Sequence, residues 1–260
     1  MLVVYDKRYQ EILEELDKYC TFGGHLDEDC FRDSITEPLK QSKELIGWTY
    51  DSGATKLVLL FSGMDTVVKI PFTGTSEDYY VAGDSGVSCP KGDSLKKHTW
   101  YSHCEYCSYD GCSRRGHYEY TDFSGSPAAN CWDYCAAEVD YYGLAEEEGV
   151  EGFFAKTWLI GTVKGHPIYA QARAEMFEGS TSTREYPKEK AKTVSDYCHD
   201  MNYHCFNDWW LADFVDFFGM GALDELQKFL ESQGIEDLHD GNIGYVAGVP
   251  VLIDYAGYNH

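Results

Sequence analysis

Asp237, Asn242 and Asp254 fall within eighteen positions of the C-terminal stretch EDLHDGNIGYVAGVPVLIDYAGYNH. Asp237 and Asn242 are five apart in a loop after a predicted helix. The segment NIGYVAGVPVLID then reads as two short strands with Ala247 and Gly248 at the turn, a hairpin that returns Asp254 toward Asn242. Two carboxylates and an amide oxygen form a hard-oxygen set suited to Mg2+, which takes few protein ligands and leaves room for phosphate oxygens. The same composition also suits a plain turn, because Asp, Asn and Gly are what turns favour.

A second set lies in CEYCSYDGCSRRGH, where Cys104, Cys107, Cys112 and His117 follow C-x2-C-x4-C-x4-H. Three thiolates and an imidazole suit tetrahedral Zn2+, and the spacing is that of a zinc knuckle with its last two ligand types exchanged. A metal staple would serve a short loop that has no hydrophobic period of its own. The alternative is reduced thiols in a chain with ten cysteines, among which Cys89, Cys131 and Cys135 are other available ligands.

The elements that must position these residues follow from periodicity. Residues 6–20 place Ile12, Leu13, Leu16 and Tyr19 on one side at helical spacing, so the chain opens on an amphipathic helix. ELIGWTY (44–50), KLVLLF (56–61) and TVVKIPF (66–72), joined by DSGAT and SGMD, read as antiparallel strands. Residues 73–130 carry neither period and read as an insertion, and 130–149 as a helix with Asn130 to cap it and Gly149 to end it. FFAKTWLIGTV (153–163) and HPIYAQA (166–172) are two further strands, and helical texture then runs to Gly234, with Leu223, Leu226, Phe229 and Leu230 on one face.

Two charges sit against these patterns. Cys135, Glu138, Val139 and Tyr142 form an i, i+3, i+4, i+7 stripe, which puts Glu138 on the apolar face, apart from Glu146, Glu147 and Glu148. A carboxylate there needs a partner, or must reach water from the edge of the stripe. Lys69, in the middle of VVKIPF, is either a half-buried strand cation or an edge-strand lysine placed against aggregation.

Taken in order, these motifs resemble the protein-kinase-like superfamily, especially its small-molecule and atypical branch. DLHDGN followed by LIDYAG is similar to its catalytic and metal-binding loops, with Asp-Leu-His in place of Asp-Leu-Lys. The resemblance implies an ATP- and Mg2+-binding phosphotransferase with Asp237 as base, Asn242 and Asp254 on metal, Lys69 on the α- and β-phosphates, and Glu138 paired with Lys69. Gly53, Ala54 and Thr55 would cover the phosphates, although Gly53 is the single glycine in a turn where the family has three. Backbone groups from Gln171 and Ala172 to Ala174 would read adenine.

The resemblance covers residues 41–260 apart from the insertion and implies an α+β, two-lobed fold. A five-stranded antiparallel N-lobe sheet (41–172, with the insertion 73–130) would follow a helical extension (1–40) and precede a reduced, mainly helical C-lobe (173–260). Ile235 and Glu236 stand where the family has His-Arg before the base, and the sequence stops just past DYAG, before any activation segment. The implied acceptor is therefore a small or non-peptide molecule, or the chain itself. The alternative is a pseudokinase-like interaction module that binds nucleotide without turnover.

A formal charge of −23 opposes nucleic-acid and anionic-membrane partners. It suits solubility, or an acidic mimic that presents carboxylates to another protein's basic groove. A protein partner would dock on the insertion or the N-terminal helix. The start MLVVYDKRYQEI has too short an apolar patch for a signal-peptide core, and no run of about eighteen apolar residues could span a bilayer, so a cytoplasmic protein is expected. His199-Asp200 and His239-Asp240 also match the pairs of HD-type phosphohydrolases, but that class is helical, and the strands around Lys69 and Asp254 argue against it.

Overall fold

Period-two burial builds the first sheet. Leu57, Leu59 and Phe61 of β2 (Lys56–Phe61) and Val68 and Ile70 of β3 (Thr66–Pro71) turn to one core, which leaves Val67 and Lys69 on the opposite face. The computed structural model describes residues 7–22, 28–52, 56–71, 98–100, 118–120, 134–177, 188–203, 206–235 and 238–256. Asp237, Gly53, Ala54, Thr55, Cys104, Cys107, Cys112, His117 and the expected cap Asn130 lie outside them. β1 (Trp48–Ser52) pairs with β2 through Trp48 opposite Phe61, and β2 with β3 through Val58 opposite Lys69. With β6 (Thr157–Val163) and β7 (His166–Ala172) they form the expected five-stranded antiparallel sheet, in the order β1-β2-β3-β7-β6.

The chain divides into two compact units, Met1–Cys135 with Leu159–Ala170, and Ala136–Trp158 with Gln171–Asn259. In the first, α1 (Lys7–Tyr19) and α2 (Glu28–Leu39) are no extension. Ile12, Leu16, Phe31, Ile35 and Leu39 share a single core with the sheet residues Leu57, Phe61, Val163 and Ile168. α1 and α2 are thus part of the unit's core, because an amphipathic helix buries its stripe on the nearest apolar sheet face. The β6–β7 turn uses two residues of positive φ, Lys164 (52°) and Gly165 (84°), the pair a tight hairpin needs. Lys164 Nζ donates to the Cys20 carbonyl at 2.9 Å, which anchors the non-glycine member.

The second unit holds α3 (Tyr134–Glu148) from Ala136 onward, so most of the helix expected within residues 41–172 falls here instead. It adds α4 (Lys188–Met201), α5 (Asp208–Phe218) and α6 (Met220–Gln233). Gly234 ends α6 in the left-handed region (φ 65), as the sequence predicts. A small antiparallel sheet has the order β10-β9-β8, from β8 (Glu175–Met176), β9 (Ile243–Val246) and β10 (Val249–Leu252). Its core is aromatic, with Phe153, Phe154, Trp210, Phe214, Phe229 and Tyr255 all buried.

Several boundaries differ from the periodic reading. The first strand begins at Trp48, not 44, because Ser42 Oγ accepts from the N–H groups of Glu44 and Leu45 and Gly47 turns with φ 69. Phe153 and Phe154 precede β6, Phe153 within a 3-10 turn (Glu151–Phe153), and both serve the second core. The insertion carries a short antiparallel pair, β4 (His98–Trp100) and β5 (Tyr118–Tyr120), where no period is visible in sequence.

Glycine at 244 is dictated by β8, since a Cβ there would stand 2.7 Å from the Glu175 carbonyl oxygen and 3.0 Å from Ala174 Cβ. Backbone cannot yield cheaply. At Gly161 the nearest atom is the tip of Leu13, at 2.8 Å, which can rotate away. Gly244→Ala is therefore expected to cost about 1–3 kcal/mol in urea unfolding, and Gly161→Ala clearly less. Equal losses would contradict this packing.

Candidate functional site

The C-terminal hairpin is set by its turn. Ala247 (φ 51) and Gly248 (φ 81) are both left-handed, the geometry that matches the twist of paired strands, and they fix the register from Val249 opposite Val246 to Leu252 opposite Ile243. One step further, the Ile253 N–H donates to the Asn242 carbonyl at 2.9 Å. The pairing thus runs one step past the ladder, to Asn242 opposite Ile253, and Asp254 is the next residue along the chain. Asn242 is 4% exposed and Asp254 half-buried.

Asn242 closes a 3-10 turn, Asp240–Asn242, whose shape comes from His239. The Asn242 N–H donates to the His239 carbonyl (2.8 Å), and the Gly241 N–H donates to His239 Nδ1 (3.0 Å). That second bond assigns the ring proton to Nε2. Gly241 is needed for it, as a Cβ would lie 2.8 Å from His239 Cε1. Asn207 ties the turn to a helix: its amide donates to Asp240 Oδ1 (2.7 Å), while its Oδ1 accepts from the Trp210 N–H at the start of α5 (2.8 Å). α5 also braces β9, through Trp210 Nε1 to the Gly244 carbonyl (3.3 Å) and Tyr245 to Asp213.

Behind this end of the hairpin lies a buried polar network. Glu138, 0% exposed, accepts on Oε2 from the Thr157 hydroxyl at 3.0 Å and from Gln171 Nε2 at 3.3 Å. Gln171, 3% exposed, donates also to Thr157 Oγ1 (2.8 Å) and to the Ile253 carbonyl (2.7 Å). The Tyr255 hydroxyl donates to the Ala155 carbonyl at 2.9 Å, with Thr157 Oγ1 a longer second acceptor at 3.3 Å, and its ring stands edge-on to Phe154. Burial, with the Glu138 carboxylate near it, holds the Tyr255 phenol well above the ordinary tyrosine range.

Other expected site residues divide as follows. Lys69 is 3% exposed on an interior strand, which removes the edge-strand alternative. Glu138 does not reach water from the edge of its stripe. Ala172 departs from its expected adenine role in one respect: its N–H is engaged by the Lys156 carbonyl at 3.0 Å. The Gln171 side chain faces inward. Among the described residues there is no cluster of three or more His, Cys, Asp or Glu able to hold a metal ion, and no helix long and apolar enough to cross a membrane.

No family model, curated protein or solved structure matches the chain. The site therefore rests on its own geometry. Thr157 and Tyr255 escaped the periodic reading because their partners lie distant in sequence. Gln171 carried a signal in being the one amide in an otherwise apolar run, HPIYAQA, where a buried polar group requires partners.

Because the folded pKa of Tyr255 lies above the ordinary tyrosine value of 10.0, the neutral phenol's contribution is complete below that pH and is lost as pH rises through the raised value. Stability followed by circular dichroism is expected to decline in this alkaline range, and less steeply in Tyr255→Phe. Superimposable alkaline limbs for the two proteins would remove Tyr255 from that account.

Proposed function

We propose that this chain is an ATP- and Mg2+-binding, kinase-like phosphotransferase of the cytoplasm, acting on a small or non-peptide acceptor or on itself. The observation that carries the reading is the Ile253 N–H to Asn242 carbonyl bond, which ties the residue just before Asp254 to Asn242 and supports a shared role for the two at one hairpin end. Those donors fit Mg2+ by type: both are hard oxygens, and a pair leaves coordination positions for water and phosphate. Asn242 and Asp254 would hold the ion, which when bound neutralises phosphate charge.

The remaining roles follow from chemistry and position. Lys69, buried on the sheet face away from the helical core, supplies a fixed cation for the α- and β-phosphates. Asp237 takes the acceptor's proton, and Gly53, Ala54 and Thr55 cover the phosphates. With the Ala172 N–H engaged in pairing, adenine would be read by carbonyls or by the residues that follow.

Thermal unfolding with ATP, with and without Mg2+, tests this. Ligand at 100 times its dissociation constant is expected to stabilise the wild type by about 2.7 kcal/mol and Asp254→Ala by far less. ATP consumption should accompany binding and fall about 100-fold or more in Asp237→Asn, which removes the base and leaves the metal pair. Binding without turnover would favour the pseudokinase-like module. No shift in any protein would sink the nucleotide reading and favour the acidic mimic.

A further inference from the structure

Each metal-site residue has the same neighbour in common, the backbone of Ile253. Its N–H is bound by the Asn242 carbonyl (2.9 Å) and its C=O by the Gln171 side-chain amide (2.7 Å). The C=O belongs to the peptide unit that carries the Asp254 nitrogen, so the direction of that carbonyl sets the direction in which Asp254 leaves the hairpin. On the other side of Asp254, Tyr255 is fully buried, with its hydroxyl on the Ala155 carbonyl (2.9 Å) and near Thr157 Oγ1 (3.3 Å). Asp254 is thus held from both flanks, and both holds converge on Thr157.

Within the hairpin the Asn242 carbonyl holds the Ile253 N–H, and an amide from outside it holds the Ile253 carbonyl. The amide that does so lies 82 positions upstream and is itself oriented by Thr157 Oγ1 (2.8 Å) and Glu138 Oε2 (3.3 Å). Thr157 has one proton and gives it to Glu138 (3.0 Å), which leaves its lone pairs for Gln171 and Tyr255. The donor directions are therefore fixed around the circuit.

We infer that the Gln171 and Thr157 side chains are positioning groups for metal binding: through the Ile253 carbonyl they orient Asp254, and neither side chain ligates the ion. The inference deepens the nucleotide-and-metal reading and rests on it. Orientation of a ligating carboxylate by outer hydrogen bonds is commonly worth about 10–100-fold in metal affinity.

The test uses the full chain. Mn2+ binding is measured by the loss of the free-ion electron paramagnetic resonance signal, in the presence of a non-hydrolysable ATP analogue. Affinity for the analogue alone is measured in metal-free buffer. The variants are Gln171→Met and Thr157→Val, which keep volume and remove the hydrogen bonds, Thr157→Ser, which keeps the hydroxyl, and Asp254→Ala as the control at the site. Gln171→Met and Thr157→Val are expected to bind Mn2+ about tenfold or more weakly. Analogue affinity without metal should stay within about twofold in Thr157→Val, and Thr157→Ser should behave as wild type. Amide exchange at Ile253, followed without ligand, should quicken in Gln171→Met.

Mn2+ affinity unchanged in Gln171→Met and Thr157→Val would overturn the positioning role and leave the nucleotide reading standing. A wild type that binds no Mn2+ with the analogue would end that reading, and this inference with it. If Gln171→Met fails to fold, Thr157→Val decides, and failure of both to fold would assign the network to folding instead of positioning.

Discussion

A carboxylate with no exposure to water is the constraint around which the second unit is arranged. Leaving Glu138 without donors inside a protein would cost several kcal/mol, far more than any one packing contact returns. Its donors must come from side chains, because the backbone N–H groups around it are spent within α3. Thr157 opens β6 and Gln171 stands near the end of β7, so satisfying one helix residue fixes the ends of two adjacent strands. Gln171 then has an N–H left over, which goes to the Ile253 carbonyl. The polar network and the C-terminal loop are consequently one structure, with no partner that can be removed without exposing another's need.

The hairpin contributes a different kind of precision. Its strands are only four residues each, too short for side-chain packing to define their register unaided. The turn defines it instead. Two successive left-handed residues admit one pairing, and a slip of a single residue would exchange the buried and exposed faces, taking Asn242 out of alignment with Ile253. Ala247 accepts an unfavourable backbone conformation for this purpose. The 3-10 turn is fixed in the same spirit by a side chain, His239, which folds back on the Gly241 N–H and can do so only because no Cβ intervenes.

The sequence spoke most clearly where one local pattern sufficed. The stripe of α1, the alternation in β2 and β3, the left-handed stop at Gly234 and the turn at 247–248 each follow from a few adjacent residues, and each is present in the fold. It also placed Glu138 on a buried face. What it could not supply was the identity of partners distant along the chain: Thr157 and Gln171 lie 19 and 33 positions from Glu138. Phe153 and Phe154 read as a strand because apolar runs look alike, but Phe153 closes the 3-10 turn Glu151–Phe153, and Ala155 and Lys156 come between the pair and β6. β8, two residues long, is too short to have a period at all.

Net charge constrains what such a site can work on. With 44 acidic against 21 basic residues, the long-range field opposes the approach of any anion, including free ATP. On the proposed reading, a metal ion held by Asn242 and Asp254 would act at short range, where the protein interior screens less than water does. On the proposed reading the nucleotide therefore arrives with its charge largely compensated by Mg2+. The same field disfavours a phosphorylated or carboxylate-rich acceptor and favours a neutral or cationic one. On that reading the acidic surface is more than a solubility device: it would select among acceptors before any of them reaches Asp237.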